Sequence, residues 1–139
     1  MSTTPASPET NLAALDRMYE SWRRKDLEGL LSCFTEDCEY EDMTIAETFR
    51  GHEGIRRFYE QVFAAMPDFH VVFTRRFAAA RDGAGEWTIT ATLQPGMAGL
   101  TTPRAVRFTG LSTYAFAAGR IRQARDCWDF RALERQLQS

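Results

Sequence analysis

The sequence contains no apolar run approaching the roughly 18 residues that a membrane-spanning helix requires. It has no surplus of basic charge either. Seventeen basic side chains stand against 19 acidic ones, the net charge is −2, and the scattered arginines leave no electrostatic footprint for nucleic acid. Neither a membrane nor a nucleic acid is therefore expected as a partner. The cysteines, Cys33, Cys38 and Cys127, are odd in number and lack metal-ligand spacing, which argues against both a disulfide framework and a zinc site. His52, in a polar turn, and His70, at the start of a strand, have no spaced partner of metal-binding type. No metal and no cofactor is implied. Met1 to Thr10 is polar and lacks an apolar h-region, so the expectation is a flexible arm over residues 1–10, no secretory signal and a cytoplasmic location.

What the sequence does have is enough apolar material for one core. At 139 residues, 44% apolar and 12% aromatic, residues 11–139 are read as a single domain, of a size that buries about two-thirds of the surface its unfolded chain exposes.

Leu12, Leu15, Met18, Tyr19 and Trp22 recur at steps of three and four, the period of an amphipathic helix. Asp26 can cap a second, short helix with Leu27, Leu30, Leu31 and Phe34 on its apolar face. From Cys38 to Met43 the pattern switches to period two, placing Cys38, Tyr40 and Asp42 on one face of a strand that should look inward. Phe49 to Glu53 reads as a turn into a third helix, carrying Ile55, Phe58, Tyr59, Val62 and Phe63 and closed by Pro67. Strands are predicted at 68–77, 86–94, 105–116 and 121–128, followed by a helical tail at 129–137. The segment from Pro95 to Pro103 is long for a hairpin and carries Met97 and Leu100, so it is expected to rim a pocket or a subunit contact. Three helices followed by long antiparallel strands predict an α+β fold, a curled antiparallel or mixed sheet wrapped around the helices as a cone with one open mouth.

Lys25 to Leu30, Phe34-Thr35-Glu36-Asp37, Tyr40-Glu41-Asp42 and Phe49 to Ile55 resemble the opening half of the nuclear transport factor 2-like superfamily. Val106 to Gly110, Gly119-Arg120-Ile121, Asp126 to Asp129 and Leu133 to Leu137 resemble the ending of its SnoaL-like polyketide cyclases. The resemblance spans Leu12 to Leu137. It implies a homodimer paired through the exposed sheet face, and an isomerase, lyase or cyclase that handles a small apolar polyketide- or terpenoid-like carbonyl compound without a cofactor.

Relatives differ in the residues they imply. Ketosteroid isomerase, which sets an Asp base against an oxyanion hole made of a Tyr and a protonated Asp, matches at Asp42, but its Tyr falls at Met18 or Tyr19 and its protonated Asp near Ser112. Limonene epoxide hydrolase matches at Tyr40, Asp42 and Asp126, which would hold water, while its Arg and Asp fall near Gly110 and Ser112. The SnoaL-like ending, aligned on Arg135-Gln136-Leu137, points instead to Asp129, and places a Thr-His pair of the family at Leu93-Gln94.

The candidate catalytic residues are thus Asp42, Tyr40 and one of Asp129 and Asp126, with Asp129 preferred. Strand alternation sends Asp126 and Asp129 to opposite faces, and Asp129 could alternatively cap the tail helix. Trp22, Phe58, Trp87, Gln94, Met97, Phe108 and Trp128 are the candidate substrate contacts. Carboxylates on two strands facing one apolar cavity suit acid-base work, because burial and a like charge nearby push their pKa values up and apart. Epoxide hydrolysis and binding without chemistry are the alternatives.

Overall fold

Ser7 accepts the N–H of Thr10 and Pro8 fills the first turn, where its missing N–H costs nothing, so helix α1 runs Pro8–Arg24. The structure, a computed structural model, describes residues 4–138. The helix starts four residues ahead of Leu12 and takes in the last three residues of the expected arm. Lys25 closes α1 in the left-handed region, and Asp26 caps α2 (Leu27–Ser32) by accepting from the Gly29 N–H at 2.9 Å.

Phe34 does not belong to α2, as its spacing suggested. It opens strand β1 (Phe34–Asp42), because the Cys33 carbonyl accepts from the Ile121 N–H at 2.8 Å and Phe34 pairs with Ile121. A six-residue helix gains little by extension, whereas pairing with the sheet buries Phe34 completely. The segment read as a turn, Phe49 to Glu53, is instead the end of a short strand, β2 (Glu47–Arg50), and the start of α3 (Gly51–Ala65). Strands β3 (His70–Ala78), β4 (Asp82–Leu93), β5 (Arg104–Ala117) and β6 (Arg120–Trp128) and helix α4 (Phe130–Gln138) complete the chain.

The six strands form one sheet in the order β2-β1-β6-β5-β4-β3, antiparallel throughout except for the parallel pair β1 and β6. Register shifts in β1, β3 and β6 bend the sheet, and its inner face meets α1 and α3. Leu15, Leu30, Phe34, Phe49, Ile55 and Ile121 lie fully buried between these layers. The expected α+β cone is the fold observed. Asn11, itself buried, ties α1 to the β3–β4 connection by donating to the carbonyls of Ala79 and Ala80. No helix among the described residues is long and apolar enough to cross a membrane.

Two registers arrange the polar side chains of the inner face. The parallel pair sets Asp42 beside Asp126, and the β5–β6 pair sets Asp126 beside Ser112. Three polar side chains thereby stand in one row across three strands, all buried.

Candidate active site

Asp126 is the centre of this row. It accepts the Tyr40 hydroxyl on Oδ2 and the Ser112 hydroxyl on Oδ1, and Ser112 in turn accepts the Trp87 indole N–H at 2.8 Å. Burial pushes the Asp126 carboxyl up to about 7, against the pull of the two hydroxyls, and the Asp42 charge raises it further. The Tyr40 phenol is held well above its usual range, first by burial and then by the Asp126 charge. Trp87 reaches Ser112 because its cross-strand partner is Gly110: a Cβ there would lie 2.3 Å from the indole ring.

Asp42 is held differently. The Trp128 indole N–H lies 3.1 Å from both of its oxygens, and the Thr44 and Ile45 N–H groups donate to Oδ1 at 3.0 and 3.3 Å. Burial raises its pKa, opposed by these N–H donors. Oδ2 thus keeps the larger free capacity of the two oxygens. Trp128 is fixed in turn by its backbone N–H to the Thr44 hydroxyl at 2.8 Å.

Both carboxylates open on a cavity of about 300 Å³ between the sheet and helices α1 and α3. Apolar and aromatic side chains make up most of its wall, including Met18, Trp22, Phe58, Phe69, Phe73 and Ile89. Trp22, Phe58, Trp87, Phe108 and Trp128, all expected as substrate contacts, line it, as does Met97 at its edge, 42% exposed. Of the 95–103 segment Met97 alone reaches the cavity, and it is exposed, whereas Leu100 is absent from the cavity wall and packs against the core.

Two expected site residues lie elsewhere. Asp129 is exposed and absent from the cavity wall; its Oδ1 accepts the Ala132 N–H at 2.9 Å, which makes it the cap of α4. Strand alternation gives the reason: Asp126 and Trp128 share the inner face, and Asp129 follows the last residue of β6. Gln94 also misses the cavity and turns back to the Thr92 carbonyl at 3.3 Å. His70 is exposed, and His52 meets the Phe34 carbonyl at 3.0 Å. Asp126 pairs with no surface arginine; its neighbour Arg125 binds Glu41 on the outer face instead.

The reading from sequence passed over Ser112 and Tyr114 as functional residues. Both are buried and line the cavity, and the alternation Val106, Phe108, Gly110, Ser112, Tyr114 was the signal that could have found them. Burial and the Asp126 charge raise the Tyr114 pKa, with Ser112 beside it acting in the opposite direction. Among the described residues no group of three or more His, Cys, Asp and Glu side chains could hold a metal ion.

A SnoaL-like domain family model matches residues 15–124. No curated protein matches the chain by sequence. Among solved structures, AclR from Streptomyces galilaeus, a hydroxylase candidate, superposes with a TM-score of 0.80 at 22% identity, over 95% of this chain and 87% of its own. A protein of ketosteroid isomerase-like fold from Catenulispora acidiphila, solved in complex with trimethylamine, gives 0.77 at 18% identity over 94% and 93%. An epoxide hydrolase of the limonene type from Mycobacterium tuberculosis gives 0.74 at 19% identity over 94% and 93%. At these identities the likeness is one of fold, and one fold hosts many functions.

Proposed function

The chain belongs to the SnoaL-like family, and from that membership and the geometry of its cavity we propose that it is a cofactor-free acid-base enzyme of the isomerase, lyase or cyclase type, acting on a small, mainly apolar carbonyl compound. The observation that carries this reading is Asp126, a carboxyl with a pKa of about 7 in an apolar cavity, clasped by two hydroxyls and flanked by a second carboxylate. A general base is most effective when its pKa lies near the working pH.

Each Asp126 oxygen has two lone pairs, of which the hydroxyls occupy one. Ionised Asp126 removes a proton from the carbon next to the carbonyl; the C–H bond breaks, an O–H bond forms on Asp126, and the electron pair moves to the carbonyl oxygen as an enolate. Protonated Asp126 can then donate to Tyr40, freeing the phenol proton for the enolate oxygen. Return of the proton elsewhere isomerises the compound, and attack of the enolate on a second carbonyl closes a ring. General acid-base assistance of this kind is worth about 10²–10⁴-fold.

Epoxide opening by water is the second reading. It is favoured by the convergence of Tyr40, Asp42 and Asp126, the positions that by resemblance hold water in limonene epoxide hydrolase. We also propose a homodimer formed through the outer sheet face, where Val72 and Leu111 are exposed.

Incubation of the protein in deuterated water with small cyclic and aromatic ketones tests the leading reading. The expected result is deuterium uptake next to the carbonyl, slowed about 100-fold or more by Asp126→Asn. If no ketone that binds exchanges faster than in buffer, the reading falls, and incubation with epoxides, read as diol formation, decides between the hydrolase and binding without chemistry.

A further inference from the structure

The charge of the cavity is one-sided. Asp42 and Asp126 line it, while among the described residues no Lys, Arg or His does. The polar side chains that line the cavity with Asp126 come from every surrounding element: Tyr40 and Asp42 from β1, Ser112 and Tyr114 from β5, Trp87 from β4, Trp128 from β6, Tyr19 from α1 and Gln61 from α3. None of them brings a positive charge. Arg23 lies over the Tyr19 ring at 5.4 Å, but it is a well-exposed side chain on the Glu20 carboxylate at 3.6 Å. Inside a low-dielectric cavity such an imbalance discriminates strongly between ligand charges.

The walls point the same way. Ten aromatic residues line the cavity. The indole N–H edges of Trp128 and Trp87 are committed to Asp42 and Ser112, so what both rings offer a ligand is carbon surface. Aromatic faces carry the negative end of the ring quadrupole and attract cations, most of all where water is excluded. Carboxylates among aromatic rings with no basic partner form a receptor for a positively charged, otherwise apolar group.

We propose that the ligand of this site is an apolar molecule bearing a protonated or quaternary amine, its nitrogen seated against Asp42 and the Trp128 ring. On the acid-base reading, upon which this rests, the substrate is an amino ketone: Asp42 binds the ammonium group and leaves Asp126 and Tyr40 to move the proton. An anionic substrate would meet two carboxylates and no counter-charge. A cation beside the two carboxyls favours their ionised forms. Cation affinity therefore rises with pH as Asp126, raised to about 7 in the free protein, loses its proton.

The test compares benzyltrimethylammonium, whose charge does not change with pH, with its neutral isostere neopentylbenzene and with the anion 4-phenylbutyrate, using NMR titration of the unaltered protein. At pH 8.5 the cation is expected to bind at least about tenfold more tightly than the isostere, and the gap to shrink by about tenfold at pH 5.5, as one pKa unit of coupling implies. Asp42→Asn, checked for folding by circular dichroism, should remove most of the preference while leaving the isostere's affinity in place. Equal or tighter binding of the isostere or the anion at pH 8.5 overturns the proposal, and so does failure of the cation to bind at millimolar concentration. No turnover is read, so a negative deuterium-exchange result leaves this outcome intact, and the reverse also holds.

Discussion

Asp42 and Asp126 are register partners across the one parallel strand pair of the described sheet, so their side chains stand next to each other on its inner face. Each is buried, each has a raised pKa, and neither has a basic neighbour in the cavity. Two like groups in one apolar site cost folding free energy when both are ionised, and the protein meets that cost with N–H donors on Asp42 and O–H donors on Asp126.

Stability should therefore depend on pH with a definite sign. The unfolded chain titrates Asp near 3.9, whereas folded Asp126 titrates at about 7. Between those values the folded state holds a proton that the unfolded state has lost, so stability falls as pH rises through the window and levels off above about 7. At roughly 1.4 kcal/mol per pKa unit, the total is a few kcal/mol. Thermal melts at pH 5 and pH 8 should show the higher melting temperature at pH 5, and Asp126→Asn should flatten most of the difference.

Tyr40→Phe keeps the ring and removes one of the two hydroxyls that hold the Asp126 carboxylate. Loss of that donor should move the Asp126 pKa above about 7 with the fold retained. Carbon-13 NMR titration of the aspartate carboxyls reads the shift directly, and the ascending, acid-side limb of any pH-rate profile, where Asp126 gains the ionised form that acts as base, should move to higher pH with it.

Asp129→Ala and Asp126→Asn should separate cleanly. The first removes a helix cap and is expected to cost ~1 kcal/mol of stability with unchanged ligand affinity. The second should lower kcat by about two orders of magnitude or more. A loss of turnover in Asp129→Ala at full occupancy would return the catalytic role to the tail.

Gly110→Ala places a Cβ 2.3 Å from the Trp87 ring and must displace the indole that donates to Ser112. Overpacking of this kind costs about 1–3 kcal/mol. Tryptophan fluorescence should change, and ligand affinity should fall beyond what the loss of stability explains.

For the subunit contact, Leu111→Glu is the informative substitution, since Leu111 is 59% exposed on the outer face of β5 and points away from the cavity. Light scattering should find a dimer for the parent and a monomer for the variant, with ligand binding retained. A monomeric parent at micromolar concentration would remove the proposal.

The sequence by itself determined the local layout. The three- and four-residue spacing fixed α1 and α3, because a helix buries one stripe whatever it packs against, and the alternation of Cys38, Tyr40 and Asp42 fixed the face of β1, because a strand's period is two. Its failures lie where a residue's surroundings come from distant parts of the chain. Phe34 fitted a helical stripe and was taken by Ile121, and Asp129 fitted a family ending but follows the strand whose inner face had already been claimed by Asp126 and Trp128. Only the tertiary structure decided that Asp126 would meet Tyr40, 86 residues away, and that Ser112 would stand beside it as its second partner. The physical reason is register: hydrophobic pattern dictates which residues of one strand share a face, but the pairing between strands decides which of them meet, and a one-residue slip would exchange every inward side chain for an outward one.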